Sequence, residues 1–310
     1  MTDGLLVNRR RVLEIGIAAS AMALVPPSRL VAEPPPLVER KIPSSGESVP
    51  VIGIGTARRY AAITTDAERA PLTAVLRRFA ELGGEVIDTA PSYGTAEAVV
   101  GDSVAELGIR DALFLATKVG ASGQTAGREQ IEQSFRRLRT RVMDLIAVHN
   151  LRDTDTQLRT LRELKHAGRT RYVGITTSFA RQYAELEQTM RRERLDFIQV
   201  DYALDHREAS ARILPLAADR GTAAMINLPF GRGRLFKAVQ GRELPPWAAE
   251  IDCVSWAQFF LKYVVSHAAV TCCIPGTSKM EHLFDNLGAA RGRLPGASMR
   301  RRMEAFIDTL

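Results

Sequence analysis

The chain has 310 residues, 45% hydrophobic and 25% charged, with a net charge of +7. These values are ordinary for a globular protein able to bury a full core as one large domain, and the charge suggests a mildly anionic ligand at most. The basic runs Arg136-Arg137-Leu138-Arg139 and Arg191-Arg192-Glu193-Arg194 carry no interleaved aromatics, so they read as solvated helix faces and no nucleic-acid partner is expected. Three cysteines (Cys253, Cys272, Cys273) and five scattered histidines give neither a disulfide framework nor metal-ligand spacing, so no metal is expected.

The N-terminus carries Arg9-Arg10-Arg11 ahead of a small, apolar, uncharged stretch at 15–25, closed by Pro26-Pro27. That stretch fits a signal-peptide core of roughly 7–15 residues and falls short of the ~18 needed to span a bilayer. The paired arginines resemble the twin-arginine export signal, although Val12 stands where an aromatic is common and Glu14 where a basic residue is common. The expectation is an export signal over 1–32 read by the export machinery, which implies a periplasmic or otherwise exported protein. A proline-rich linker over 33–43 and one domain over 44–310 follow.

A Ser/Gly turn at 44–46 between short flanks predicts an N-terminal β-hairpin over 41–49. Strand and helix patterns then alternate. Strands are predicted at 51–56, 85–88, 113–118, 143–149, 172–178, 196–202, 223–229 and 270–276. Helices are predicted at 65–82, 96–107, 127–139, 155–167, 181–192, 209–219 and 253–265, with a last one at 279–289. Eight apolar strands with helices between them predict a (β/α)8 TIM barrel, whose active site lies where the strands end. A doubly wound sheet would need a glycine-rich dinucleotide loop, and Gly53-Ile54-Gly55-Thr56-Ala57-Arg58 lacks its third glycine. Gly55 is expected to let a ligand approach the backbone.

Polar residues stand at successive strand ends: Asp88, Lys118, His149, Thr176, Gln199 and Asn227. Beyond Asp88, Pro91 and Gly94 bend the chain into a tight loop that holds Tyr93. Ionisable groups facing a barrel mouth are costly unless paired, so three in succession point to one shared site. The set suits carbonyl reduction. A phenol of pKa near 10 is a poor acid/base at neutral pH, and an ammonium ~4 Å away is worth about 4 kcal/mol at an effective dielectric near 20. Lys118 is therefore expected to lower the pKa of Tyr93, the general acid/base. Asp88 holds Lys118, and a neutral His149 directs the carbonyl.

The runs Ile87 to Gly94, Thr117-Lys118 and Asp144 to His149 resemble the Asp, Tyr, Lys, His tetrad of the aldo-keto reductases, in that family's chain order. Gly53 to Thr56 and the closing Ile274-Pro275-Gly276-Thr277-Ser278-Lys279 through Asn286 also match, so the resemblance spans about 51–290. It implies a reductase of aldehydes or ketones using NADPH, with NADH possible, and a small-molecule carbonyl substrate. It also implies that Gly55, Thr56 and Asp88 lie near the nicotinamide and that Thr176, Thr177 and Gln199 hold the carboxamide. The run Leu228, Pro229, Phe230, Gly231, Arg232, Gly233 and Arg234 would wrap the pyrophosphate. Gly276, Thr277, Ser278, Lys279, His282 and Asn286 would take the adenosine phosphate.

Three positions depart from that pattern. Thr176-Thr177 replaces a Ser-Asn pair, Asn227 stands where an aromatic often stacks on the nicotinamide, and His282 replaces a frequent arginine, giving up a bidentate phosphate fork. With no long tail after the 279–289 helix, an open pocket is expected. Ala57, Arg58, Arg59 and Tyr60 are candidates for its rim, and Arg58 or Arg59 suits an anionic carbonyl compound. Two alternatives keep the barrel: a lyase forming a Schiff base on Lys118, and a cofactor-binding sensor without fast turnover.

Overall fold

A computed structural model describes residues 35–310; the export-signal reading lies outside them. The predicted hairpin forms from β1 (Glu39–Lys41) and β2 (Ser48–Pro50), an antiparallel pair. Its first strand falls inside the stretch read as linker.

Eight parallel strands follow: β3 (Ile54–Gly55), β4 (Val86–Asp88), β5 (Phe114–Val119), β6 (Met143–His149), β7 (Thr170–Thr176), β8 (Phe197–Asp201), β9 (Ala223–Asn227) and β10 (Val270–Cys273). Each pairs with its sequence neighbour, in the order β3 to β10. Parallel bridges from Ile52 to Cys273 and from Gly55 to Gly276 join the two edges. The predicted (β/α)8 barrel is therefore the observed architecture.

Gly55, which lines a cleft at the strand ends, also serves this closure. A Cβ there would lie 2.7 Å from the Ile274 carbonyl oxygen, so the first and last strands approach only because the side chain is missing.

The main helices are α1 (Asp66–Glu81), α2 (Ala96–Leu107), α3 (Gln124–Arg137), α4 (Thr154–His166), α5 (Tyr183–Arg192), α6 (Ala209–Asp219), α7 (Arg234–Ala238), α8 (Trp256–Val265), α9 (Met280–Gly288) and α10 (Ala297–Ile307). Helix α1 begins where the sequence dictates: the Thr65 hydroxyl accepts from the Glu68 amide at 3.2 Å, and Glu68 reaches back to the Thr65 amide at 3.1 Å. Helices α7 and α10 were not predicted. Met303 and Ile307 are the residues α10 buries, and its Arg300 donates to the Tyr202 hydroxyl at 2.6 Å.

Strand alternation sorts the barrel into an inner and an outer set. Ile42 and Val49 of the hairpin pack with Val86, Phe114, Leu145, Tyr172, Phe197 and Ala223 in one buried cluster. These strand residues stand at or near the strand starts, so the hairpin plugs the barrel floor. The Tyr172 hydroxyl adds a 2.7 Å bond to Ser45. Two and four residues further along the same alternation lie Asp88, Lys118, His149, Thr176 and Gln199, in the layer at the strand ends.

Candidate active site

The inward layer at the strand ends forms the floor of a cleft of about 760 Å3. Asp88, Tyr93, Lys118 and His149 all line it. Lys118 is buried and donates to both Asp88 carboxylate oxygens at 2.7 Å and to the Thr89 carbonyl at 2.8 Å. Its three N–H donors thus each have an acceptor. Gln199 Nε2 donates a further bond to Asp88 Oδ1 at 3.0 Å, while the Thr176 hydroxyl donates to Gln199 Oε1 at 2.8 Å.

The electrostatics follow from that bonding. Burial alone would lower the pKa of Lys118, but the Asp88 carboxylate, with Tyr93, holds it above the ordinary lysine value. Burial opposes the ionised form of Asp88. Its close polar contacts are all donors, so the geometry holds the carboxylate.

Tyr93 lies with its ring centroid 5.1 Å from the Lys118 ammonium and 5.9 Å from the His149 ring, edge to face. The expected lowering of its pKa is corrected here. Burial of the phenol raises it, Lys118 pulls it down and Asp88 pushes it up again, so the net direction is upward. A lysine already matched by a carboxylate is a weak local charge, and desolvation dominates. His149 is pushed down to about 4 by burial and by Lys118, and is neutral at ordinary pH. The Ser92 hydroxyl lies 3.5 Å from His149 Nδ1.

The remaining expected residues divide. Gly55, Thr56, Thr176, Gln199, Leu228, Pro229, Phe230, Gly233, Gly276, His282 and Asn286 line the cleft. Thr177 does not: it is buried and its hydroxyl donates to Gln182 Oε1 at 2.5 Å. Ser178 lines the cleft in its place, because inward side chains on an extended strand fall two apart. Gly231 and Arg234 face an adjoining cavity of about 350 Å3, where Arg234 Nε donates to Asp205 at 2.9 Å. Thr277 is buried, bonded to the Pro275 carbonyl at 3.1 Å and to Asn286 Nδ2 at 2.9 Å. Ser278 and Lys279 lie off the lining, and the Lys279 ammonium pairs with Glu281 at 3.3 Å.

Of the rim candidates, Ala57, Arg58 and Arg59 line the cleft, while Tyr60 is fully buried with its hydroxyl donating to the Thr277 carbonyl at 3.1 Å. Arg232, inside the run expected at the pyrophosphate, lines the cleft as well, whereas sequence reasoning missed Ser92, Asn150, Ser178, Phe236 and Asp285 as lining residues. Asn227 donates through Nδ2 to the Thr177 carbonyl at 3.3 Å, but its buried Oδ1 accepts nothing.

Comparison with known proteins agrees with this geometry. The sequence pattern of the "Aldo/keto reductase family" matches residues 51–305. A methylglyoxal reductase of Escherichia coli, YeaE, is 29% identical over 277 residues, covering 86% of this chain and 95% of its own. An aldo/keto reductase from Klebsiella pneumoniae, solved with NADP and acetate, superposes with a TM-score of 0.72 at 26% identity, covering 84% of this chain and 93% of that one. A second Klebsiella pneumoniae structure, solved with NADPH, gives 0.73 at 26% identity, covering 88% and 95%.

Proposed function

The chain belongs to the aldo/keto reductase family, and from that premise we propose that it reduces an aldehyde or ketone to an alcohol with NADPH, Tyr93 supplying the proton. The relatives solved with NADP and NADPH support the cofactor. When bound, the reduced nicotinamide supplies the hydride for the carbonyl carbon.

The residues present fit such a group. Asn227 offers a buried amide oxygen with no hydrogen-bond partner in the cleft wall, a match for a carboxamide N–H, and Arg232 offers a guanidinium for a phosphate. Gln199 is better described as a support for Asp88 and Thr176 than as a free carboxamide ligand, because its two amide atoms already bond to them.

The observation that carries the proposal is the Tyr93 phenol held against the buried Lys118–Asp88 pair, with its ring edge-on to a neutral His149. A phenol with a raised pKa keeps its proton through the neutral range, the form a carbonyl oxygen needs as negative charge builds on it. His149 presents a neutral ring nitrogen to the same oxygen and fixes its direction. Once the proton has moved, the phenolate faces the Lys118 ammonium, which stabilises it.

The Schiff-base alternative has no support here. The Lys118 amine is protonated, buried and held by three acceptors, the opposite of a nucleophile.

Tyr93→Phe is expected to lower turnover about a thousandfold while NADPH affinity, read by fluorescence titration, stays near wild type. A Tyr93→Phe protein that turns over normally removes the phenol from the reaction. Tight NADPH binding by the wild-type protein, without oxidation across a carbonyl panel, returns the reading to the sensor alternative.

A further inference from the structure

We infer that the carbonyl compound this cleft takes carries an anionic group, a carboxylate or a phosphate, and that Arg58 and Arg59 at the rim select it. The inference rests on the reductase reading above and adds the substrate class.

Both arginines line the cleft together with Tyr93 and His149, and both are exposed. Among the described residues, neither guanidinium makes an ion pair or hydrogen bond. Several arginines elsewhere are matched by acids, Arg69 by Glu106, Arg110 and Arg171 by Asp144, Arg137 by Glu97 and Arg293 by Asp252; what sets Arg58 and Arg59 apart from the other unmatched ones is their place on the cleft. Two adjacent guanidiniums left unmatched beside a reaction centre offer forked donors to an oxyanion, the geometry carboxylates and phosphates accept.

The loop carrying them is fixed at both ends. Thr56 donates to the Asp88 carbonyl through its amide at 3.1 Å and its hydroxyl at 2.9 Å. Tyr60 is fully buried, its hydroxyl on the Thr277 carbonyl at 3.1 Å and its own carbonyl accepting from the Thr95 hydroxyl at 2.9 Å. Next to it the Ala61 carbonyl packs on Gly94, where a Cβ would come within 2.1 Å and where φ is +55°. Only residues 57–59 bridge these anchors, and the second anchor is tied to the loop that holds Tyr93. The backbone that carries the arginines is therefore tethered to the loop that holds the phenol, which reduces the ordering cost of a polar contact to the ordering of the two side chains.

The charge of the walls agrees. Lys118 is matched by Asp88, and His149 is neutral. That leaves Arg58, Arg59 and Arg232 against one carboxylate, Asp285, which already accepts from Ser255 at 2.6 Å and from Gln258 at 3.0 Å. Arg232 lies in the stretch assigned to the cofactor's phosphates, so the two rim arginines supply the excess available to a substrate.

The test is a ratio of kcat/KM within matched pairs, measured with NADPH at low salt. One pair is para-carboxybenzaldehyde against para-carbamoylbenzaldehyde; the other is glyceraldehyde phosphate against glyceraldehyde. The wild-type ratio is expected to favour the anionic member by about tenfold in at least one pair, which also tells carboxylate from phosphate. It should fall toward one in Arg58→Gln/Arg59→Gln, stay partly retained in Arg58→Lys/Arg59→Lys, and collapse in wild type as potassium chloride is raised.

A wild-type ratio near one in both pairs overturns the inference and leaves the reductase reading standing. So does a preference that survives in the folded double Gln variant, or one that salt does not weaken should that variant fail to fold. No NADPH oxidation with any of the four aldehydes also overturns the inference, and the reductase reading falls with it only if the wider panel of aldehydes and ketones is silent too.

Discussion

Lys118 directs its three donors at Asp88 and Thr89, and that one arrangement sets the protonation of its neighbours. Asp88, Lys118 and His149 were legible in the sequence because each stands at a strand end, in phase with the inward side, and Tyr93 because Pro91 and Gly94 mark the tight loop beyond Asp88. What the residue types did not disclose was the balance among them. A lysine next to a tyrosine suggests a depressed phenol only while the ammonium is unmatched; bonded to a buried carboxylate, it yields to desolvation. The consequence is a pH profile. With His149 near 4 and Tyr93 above its ordinary value, kcat/KM for reduction of a neutral aldehyde should show no break near 6.5 and should fall only as pH approaches 4. For stability the sign is the same. An unfolded histidine titrates at about 6.5, so the native state binds fewer protons between that value and about 4, and stability is lost as the pH is lowered through that window. Urea midpoints at stepped pH, compared between wild type and His149→Gln, read this directly: the variant should lose less on acidification.

At the scale of elements, the barrel strands were legible because a parallel sheet buried on both faces writes itself as apolar runs. The short first strand was overread at 51–56, since regular strand pairing covers only Ile54–Gly55, with Ile52 held by a single bridge to the last strand. Helix α10 was missed although Met299, Met303, Phe306 and Ile307 recur at helical spacing, because the run Arg300-Arg301-Arg302 interrupts that stripe and only Met303 and Ile307 are buried. Tyr60 was misplaced for a related reason: two flanking arginines make it look like surface, whereas the Thr277 carbonyl, 217 positions away, provides its partner. At the other end of the cleft, the start of α9 carries Lys279 paired with Glu281, and His282 only 3.8 Å from the same carboxylate. A nearby acid competes with a phosphate for the lysine. Glu281→Gln is therefore expected to tighten NADPH by about two- to threefold while leaving NADH unchanged, the small size following from the exposure of the pair. Parallel fluorescence titrations with both cofactors check it; an equal effect on the two would place Lys279 away from the extra phosphate.

For the whole molecule, the hairpin and the cleft occupy opposite ends of the barrel, and the two ends answer to different demands. Ile42 is fully buried in the floor, so Ile42→Ala should cost about 3 kcal/mol of stability, read from urea unfolding. NADPH affinity should not change; a parallel loss would mean that the floor and the mouth are coupled. The four polar groups of the site, Tyr93 included, come from one continuous quarter-turn of the barrel, positions 88 to 149, whereas the rim arginines sit on a three-residue bridge upstream of it. That division makes the protein a modular starting point for engineering. A combinatorial library confined to positions 57–59 alters the rim while the buried cluster of Asp88, Tyr93, Lys118 and His149 stays as it is. New selectivity can be sought there without rebuilding the reaction centre.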